Sequence, residues 1–289
     1  MRPPLTEEDA GVLRMRRREF GACVLGGLIG LPAVAQQEVV VKKVRIGELP
    51  AIYACKGETK GKNLVIWLPG FSGAKEGTEG QLKALAEQGF VGLCFDPYQH
   101  GERRIEPNDQ LRTRVRGNIR RFFWPILAKT AEEVPTVIDW CTRELGVSAN
   151  VGIGGTSMGG DISVAAAGVD RRIRAVAALV GTPDWMRPGS FEPPGEPDEA
   201  AQKDYDRRNP LTHLNDFRHH PAITFESGAV DMQVPPDGGQ RFVAALLEKG
   251  IYPKESPLLR VSLHSGVPHR IDPKMIENAM AWFKENLKP

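Results

Sequence analysis

From Glu38 onward, short β-rich runs alternate with longer helical ones, and that alternation leaves few folds open. "NLVIWL", "FVGLCFD", "NVGIGG", "IRAVAALVG", "AITFESG" and "LLRVSLH" read as strands, after an opening antiparallel pair in "EVVVKKVRI" and "PAIYAC". Between them lie "EGQLKALAEQG", "WPILAKTAEEVPTVIDWCTRELG", "SMGGDISVAAAG", "PDGGQRFVAALLEKG" and "DPKMIENAMAWFKENL", with apolar residues at helical spacing. "NLVIWL" is apolar throughout and stops at Pro69-Gly70, as a strand covered on both faces would. Gly89 suits a helix end, and Pro135 predicts a bend or break in its helix. Together these elements predict an α/β fold: a mostly parallel eight-stranded sheet with helices on both faces. Ligands of such sheets bind beyond the carboxyl ends of the strands, so the residues to watch sit just after strands.

Two polar, Pro- or charge-rich segments interrupt the alternation, around 101–124 and 183–217. Both leave from strand ends and are expected to flank or cover a site within one domain spanning 36–289. The formal net charge of +2 gives no reason to expect a nucleic-acid partner. The basic cluster from Arg112 to Arg121 reads as a solvated helix face.

Residues 1–35 read as an export signal. A basic start precedes the apolar run from Ala22 to Leu31, and Ala33-Val34-Ala35 has the small side chains of a cleavage site. Arg17-Arg18-Glu19-Phe20 matches the twin-arginine pattern. Met15 is a second candidate start. The apolar run is too short for a membrane span, and no stable membrane anchor is expected, by lipid at Cys23 or otherwise. Cleavage after Ala35 would leave Cys55, Cys94 and Cys141, which read as buried free thiols. No Cys/His group has zinc-ligand spacing, and neither metal nor cofactor is expected.

The chemistry centres on "GIGGTSMGGD". Ser157 follows a strand and opens a helix, the context that a G-x-S-x-G nucleophile elbow requires. Glycines at 155 and 159 admit the tight turn, and the helix N-terminus behind Ser157 offers N–H groups to an oxyanion. A serine nucleophile needs a base and the base needs an orienting carboxylate, in the chain order Ser, acid, His. His269, between the last strand and the last helix, is the expected base, with His264 its rival. Asp231, one short loop beyond "AITFESG", is the expected acid, with Glu226 and Asp237 as alternatives. Met158 N–H and Phe71 N–H, the latter in "LPGFSG", are the expected oxyanion donors.

These stretches, with "FDPYQHGER" and "PHRIDPKMIENAMAWF", resemble the α/β-hydrolase superfamily, and within it the bacterial single-domain esterases of the dienelactone-hydrolase and prolyl-oligopeptidase-like group. The resemblance implies the α/β-hydrolase fold and a carboxylesterase acting on short- to medium-chain or aromatic esters, small molecules, without cofactor. It implies a structural role for His100, with Asp96 and Arg103 fixing its turn. Two positions depart from the group: Pro69-Gly70 and Ser227-Gly228 stand where its members often carry His-Gly. Serine at 157 sets the chain apart from the dienelactone hydrolases proper, which use cysteine. A peptidase or amidase with the same triad, or a binding protein on the same fold, are the rival readings. Trp124 and Trp185, with Phe122 and Phe123, either line a substrate pocket or pack the excursions onto the body.

Overall fold

In the computed structural model, residues 37–287 are described; the signal-like segment 1–35 lies outside them. The strands are β1 (Val39–Ile46), β2 (Leu49–Lys56), β3 (Leu64–Leu68), β4 (Val91–Phe95), β5 (Val151–Thr156), β6 (Ile173–Leu179), β7 (Ala222–Gly228) and β8 (Leu259–His264). The helices are α1 (Glu79–Glu87), α2 (Asn108–Gly117), α3 (Ile119–Phe122), α4 (Trp124–Trp140), α5 (Met158–Val169), α6 (Glu199–Arg208), α7 (Asp237–Glu248) and α8 (Pro273–Asn286). All eight strands join one sheet in the order β1-β2-β4-β3-β5-β6-β7-β8. The pairings β1–β2 and β2–β4 are antiparallel; every other pairing is parallel. This is the α/β-hydrolase fold.

The all-apolar β3 is explained by its two neighbours. Leu64, Ile66 and Leu68 face the core beneath α4 and α5, while Val65 and Trp67 face the core beneath α1 and α8. Successive strand side chains alternate in direction, so a strand covered on both faces favours an apolar residue at every position. The parallel strands β3 to β8 end along one edge, and the loops that follow them share it.

The excursions fold locally. The segment after β4 supplies α2 and α3, and the segment after β6 supplies α6 and two short 3₁₀ turns. Pro135 does not break α4, which runs from Trp124 to Trp140; the ladder widens instead at Cys141–Leu145, a π turn closed by Gly146 at φ 64°. Cys55, Cys94 and Cys141 are buried free thiols, and burial pushes the Cys141 thiol up to about 12. Among the described residues no helix is long and apolar enough to cross a membrane.

Candidate active site

Ser157 sits between β5 and α5 with φ 54° and ψ −113°, a backbone conformation that L-residues rarely adopt. Its N–H donates to Leu179 O at 2.7 Å, which ties the turn to the neighbouring strand. A methyl group added at Gly159 would run into the Leu68 carbonyl, and one at Gly155 would lie 2.7 Å from the Gly159 carbonyl carbon. Both glycines are there because β3, β5 and α5 approach too closely for any side chain.

The loops after β7 and β8 meet at this elbow. Ser157 Oγ lies 2.9 Å from His269 Nε2, and His269 Nδ1 lies 2.7 Å from Asp231 Oδ2. Asp231 is 2% exposed. Its second oxygen, Oδ1, accepts the N–H groups of Gln233 (2.9 Å) and Val234 (2.8 Å), so the carboxylate is aimed before the imidazole reaches it. The structure brings Ser157, His269 and Asp231 into one hydrogen-bonded line across 112 residues of sequence.

The rival residues are used elsewhere. His264 Nε2 pairs with Glu226 Oε2 at 2.7 Å, and Asn278 of α8 donates to the same oxygen at 2.8 Å. Asp237 holds Arg241 Nε at 2.9 Å along α7 and makes no helix cap.

Met158 is the first residue of α5, so its N–H has no partner within the helix. Phe71 occupies the second place of a turn closed by Gly73 N–H on Gly70 O at 2.9 Å, with Ser72 at φ 63°, as the third place of a type II turn takes. Neither Phe71 N–H nor Met158 N–H donates a hydrogen bond among the described residues. Both are therefore free to bind an oxyanion.

Ser157, His269 and Phe71 border a cleft of about 350 Å³, whose other walls include Arg112, Arg116, Val180 and Gln233. Ser72, Ser157 and Val180, three non-glycine residues at positive φ, all border it. Backbone strain of this kind gathers where a site holds groups in place for chemistry.

Trp124 and Trp185 do not border this cleft, which corrects the expectation that they bind substrate there. Both are 1% exposed. Trp124 Nε1 donates to Trp185 O at 3.0 Å, and the Trp124 ring lies 4.4 Å from that of Tyr205. They pack the two excursions together, the more economical burial for large flat rings.

The structure adds Lys75, Glu102, Glu133, Asp161 and Arg187, which the sequence left unmarked, and sets the first three around the turn of Asp96, His100 and Arg103. Lys75, 1% exposed, reaches Asp96 Oδ2 (2.8 Å) and Glu102 Oε1 (2.7 Å), locking the oxyanion loop to the turn after β4. Burial by itself would drive the proton from Lys75; the hydrogen bonds of Asp96, Glu102 and Glu76 outweigh it and hold its pKa above the usual lysine range. Arg103 clamps the same turn, donating to Asp96 O at 3.0 Å and to both oxygens of Glu133. His100 is buried there with its ring 5.7 Å from that of Phe71, and burial lowers its pKa below the ordinary histidine value. On α5, Asp161 accepts Thr182 N–H at 2.7 Å and pairs with Arg187. Burial raises the Asp161 carboxyl above the ordinary range, against the pull of Arg187. None of these pairs has a sequence spacing that announces it.

The family description "Prolyl oligopeptidase family" (Peptidase_S9) matches residues 128–289, more than half the chain and the part that carries Ser157, Asp231 and His269. The chain belongs to the prolyl oligopeptidase family. Within curated proteins it is 23% identical over 264 residues to YitV of Bacillus subtilis (strain 168), covering 86% of this chain and 100% of that one. It is 26% identical over 270 residues to the esterase YjfP of Escherichia coli (strain K12), again covering 86% and 100%. The solved structure of TT1662 from Thermus thermophilus shares the fold, with a TM-score of 0.72 at 22% identity over 87% of this chain and 99% of that one. Membership in the prolyl oligopeptidase family, together with these relatives, makes the protein a hydrolase of the serine esterase and peptidase type.

Proposed function

We propose that the protein is a serine carboxylesterase that cleaves small carboxylic esters through an acyl-enzyme. The observation that carries this reading is the line Ser157–His269–Asp231, with 2.9 and 2.7 Å separations, at the mouth of the cleft. Ser157 Oγ attacks the ester carbonyl carbon while His269 Nε2 takes its proton. The carbonyl oxygen, now negative, sits against Phe71 N–H and Met158 N–H, where one such donor is worth about 3 kcal/mol of barrier in other enzymes. The C–O bond to the alcohol then breaks, and His269 returns the proton to the departing oxygen. Water repeats the sequence on the acyl-enzyme, giving up a proton to His269 and releasing the acid. Asp231 keeps the imidazole in the tautomer with Nε2 unprotonated and stabilises its charged form.

The family name favours a second reading, a peptidase using the same residues. The ester reading is preferred because the esterase YjfP is matched over its whole length at 26% identity. A fluorophosphonate probe with wild-type and Ser157→Ala proteins tests the nucleophile. Labelling is expected in the first and absent in the second; unlabelled wild type would end the serine-hydrolase reading. A series of p-nitrophenyl esters beside matched peptide amides separates the two substrate classes. We also propose that residues 1–35 direct export through the twin-arginine route, on the support of Arg17-Arg18 and Ala33-Val34-Ala35.

A further inference from the structure

The catalytic cleft carries a charge pattern that the triad does not use. Its walls hold Arg112, Arg116 and Arg270 beside His269, and no carboxylate borders it. Arg112 and Arg116 stand one turn apart on the same face of α2, a spacing at which like charges repel. Arg270 follows His269 directly, in the loop between β8 and α8. The three arginines thus border the cleft from two separate elements.

Other arginines of the same basic stretch have protein partners: Arg114 is paired with Glu106, and Arg121 with Asp198. Arg112, Arg116 and Arg270 make no ion pair among the described residues. The carboxylates behind the cleft are turned to other groups. Asp231 faces His269, Asp161 and Glu192 face Arg187, and Asp272, beyond Arg270, accepts Lys274 N–H at the start of α8. Asp231 and the Arg187 group put two negative charges behind a wall that carries three positive ones.

One of the three is already aimed. Arg112 Nε donates to Ser72 Oγ at 2.9 Å, and Asn108 Nδ2, one turn earlier on α2, donates to Ser72 O at 3.2 Å. Ser72 belongs to the oxyanion turn. Arg112 Nη1 and Nη2 are left without a protein acceptor, beside the turn that receives the substrate's carbonyl. A guanidinium fork matches the oxygens of a carboxylate or a phosphate. A carboxylate has a single charge and two oxygens, which one fork satisfies. A phosphate monoester carries about two charges and three free oxygens, and so can answer arginines from both elements.

We propose that the cleft holds a phosphate monoester on the alcohol part of the substrate, so that the preferred substrates are carboxylic esters of small phosphorylated alcohols. The assignment rests on the esterase reading above, and the phosphate itself is not cleaved. The departing oxygen takes its proton from His269 Nε2, which puts the alcohol on the side of Arg270 and Ile271. Phe71, Val180 and Ile271 are the large apolar side chains on the walls, too few to line a long acyl chain. The phosphate therefore belongs to a soluble ester and not to a lipid head group.

The test compares 4-acetoxyphenyl phosphate and 4-acetoxybenzoate with phenyl acetate, three acetates that differ only in the far end of the alcohol. The kcat/KM of each charged ester is divided by that of phenyl acetate in wild type, Arg112→Gln, Arg116→Gln, Arg270→Gln and the triple variant. Intrinsic reactivity, and any loss common to all three esters, then cancels between proteins. Each single variant is expected to lower the phosphate ratio about two- to fivefold, the worth of an exposed ion pair, and the triple variant about tenfold or more. Added salt is expected to lower the ratio in wild type and to leave the triple variant nearly unmoved. The benzoate ratio is expected to fall less. Variants that keep the wild-type phosphate ratio, or that lose the benzoate ratio as steeply, overturn the phosphate assignment alone. Faster hydrolysis of 1-oleoylglycerol 3-phosphate than of 1-acetylglycerol 3-phosphate overturns the soluble substrate in favour of a lipid. A wild type that neither labels with fluorophosphonate nor turns over any of these esters overturns the esterase reading and the substrate assignment with it.

Discussion

Asp231 has its two oxygens committed to different tasks, and that division predicts what its amide would do. Oδ1 accepts two backbone N–H groups and Oδ2 faces His269 Nδ1. In Asp231→Asn the carbonyl oxygen keeps the backbone bonds, so the amide nitrogen must face the imidazole. His269 then places its proton on Nε2, toward Ser157, and cannot act as a base. We expect kcat to fall by about 10⁴-fold, the cost of the wrong tautomer in other triads, with thermal stability little changed. Gly159→Ala has the opposite profile. Its methyl group meets the backbone of Leu68 in a central strand, which cannot yield. A loss of about 1–3 kcal/mol in urea unfolding is expected, because overpacking at a fixed backbone costs that much. Retention of full stability would mean that β3 and α5 are less tightly apposed.

At the scale of elements, the oxyanion loop owes its position to the turn after β4. Lys75 and Asp96 are both buried, and without the Asp96 charge Lys75 keeps only the half-exposed Glu102 and Glu76 as counter-charges. Asp96→Asn should therefore cost about 1.5–3 kcal/mol in denaturant unfolding, the worth of a hydrogen bond between charged groups. It should also lower kcat, since Phe71 rides on the loop that Lys75 anchors. His100, packed against Phe71, adds a pH dependence. Burial holds its imidazole below the ordinary value, so below about pH 6.5 the unfolded chain takes up a proton that the folded chain refuses. The unfolded state binds more protons there, and stability must fall as the pH drops. Melting temperatures measured from pH 7 down to 5 should decline more steeply for wild type than for His100→Asn; parallel curves would remove His100 from the account. His219, whose imidazole burial also lowers, is common to both proteins and drops out of the comparison.

At the scale of the molecule, the sheet and both its cores lie within Gln37–Leu287, in one compact unit. A chain beginning at Gln37 should fold and hydrolyse p-nitrophenyl esters with the same kcat/KM as a longer one. If the segment before it is an export signal, N-terminal sequencing of the exported protein should begin at Gln36, after Ala35. Recovery of unprocessed protein from the cytoplasm alone would refute the export proposal.

Strand order along the sequence, the two-faced burial of "NLVIWL" and the elbow around Ser157 were legible because each is a local pattern: alternation, periodicity, and glycines flanking one serine. Asp231 and His269 were legible as positions after strands, since a parallel sheet sends all such loops to one edge. What the sequence by itself determined, then, was the fold class and which loops must meet. Only the tertiary structure decided the pairings: that Glu226 goes to His264 and not to His269, that Lys75 crosses to Asp96, and that Trp124 and Trp185 fill the interior. Those are matters of distance and burial between residues far apart in the chain, and residue type carries no record of either.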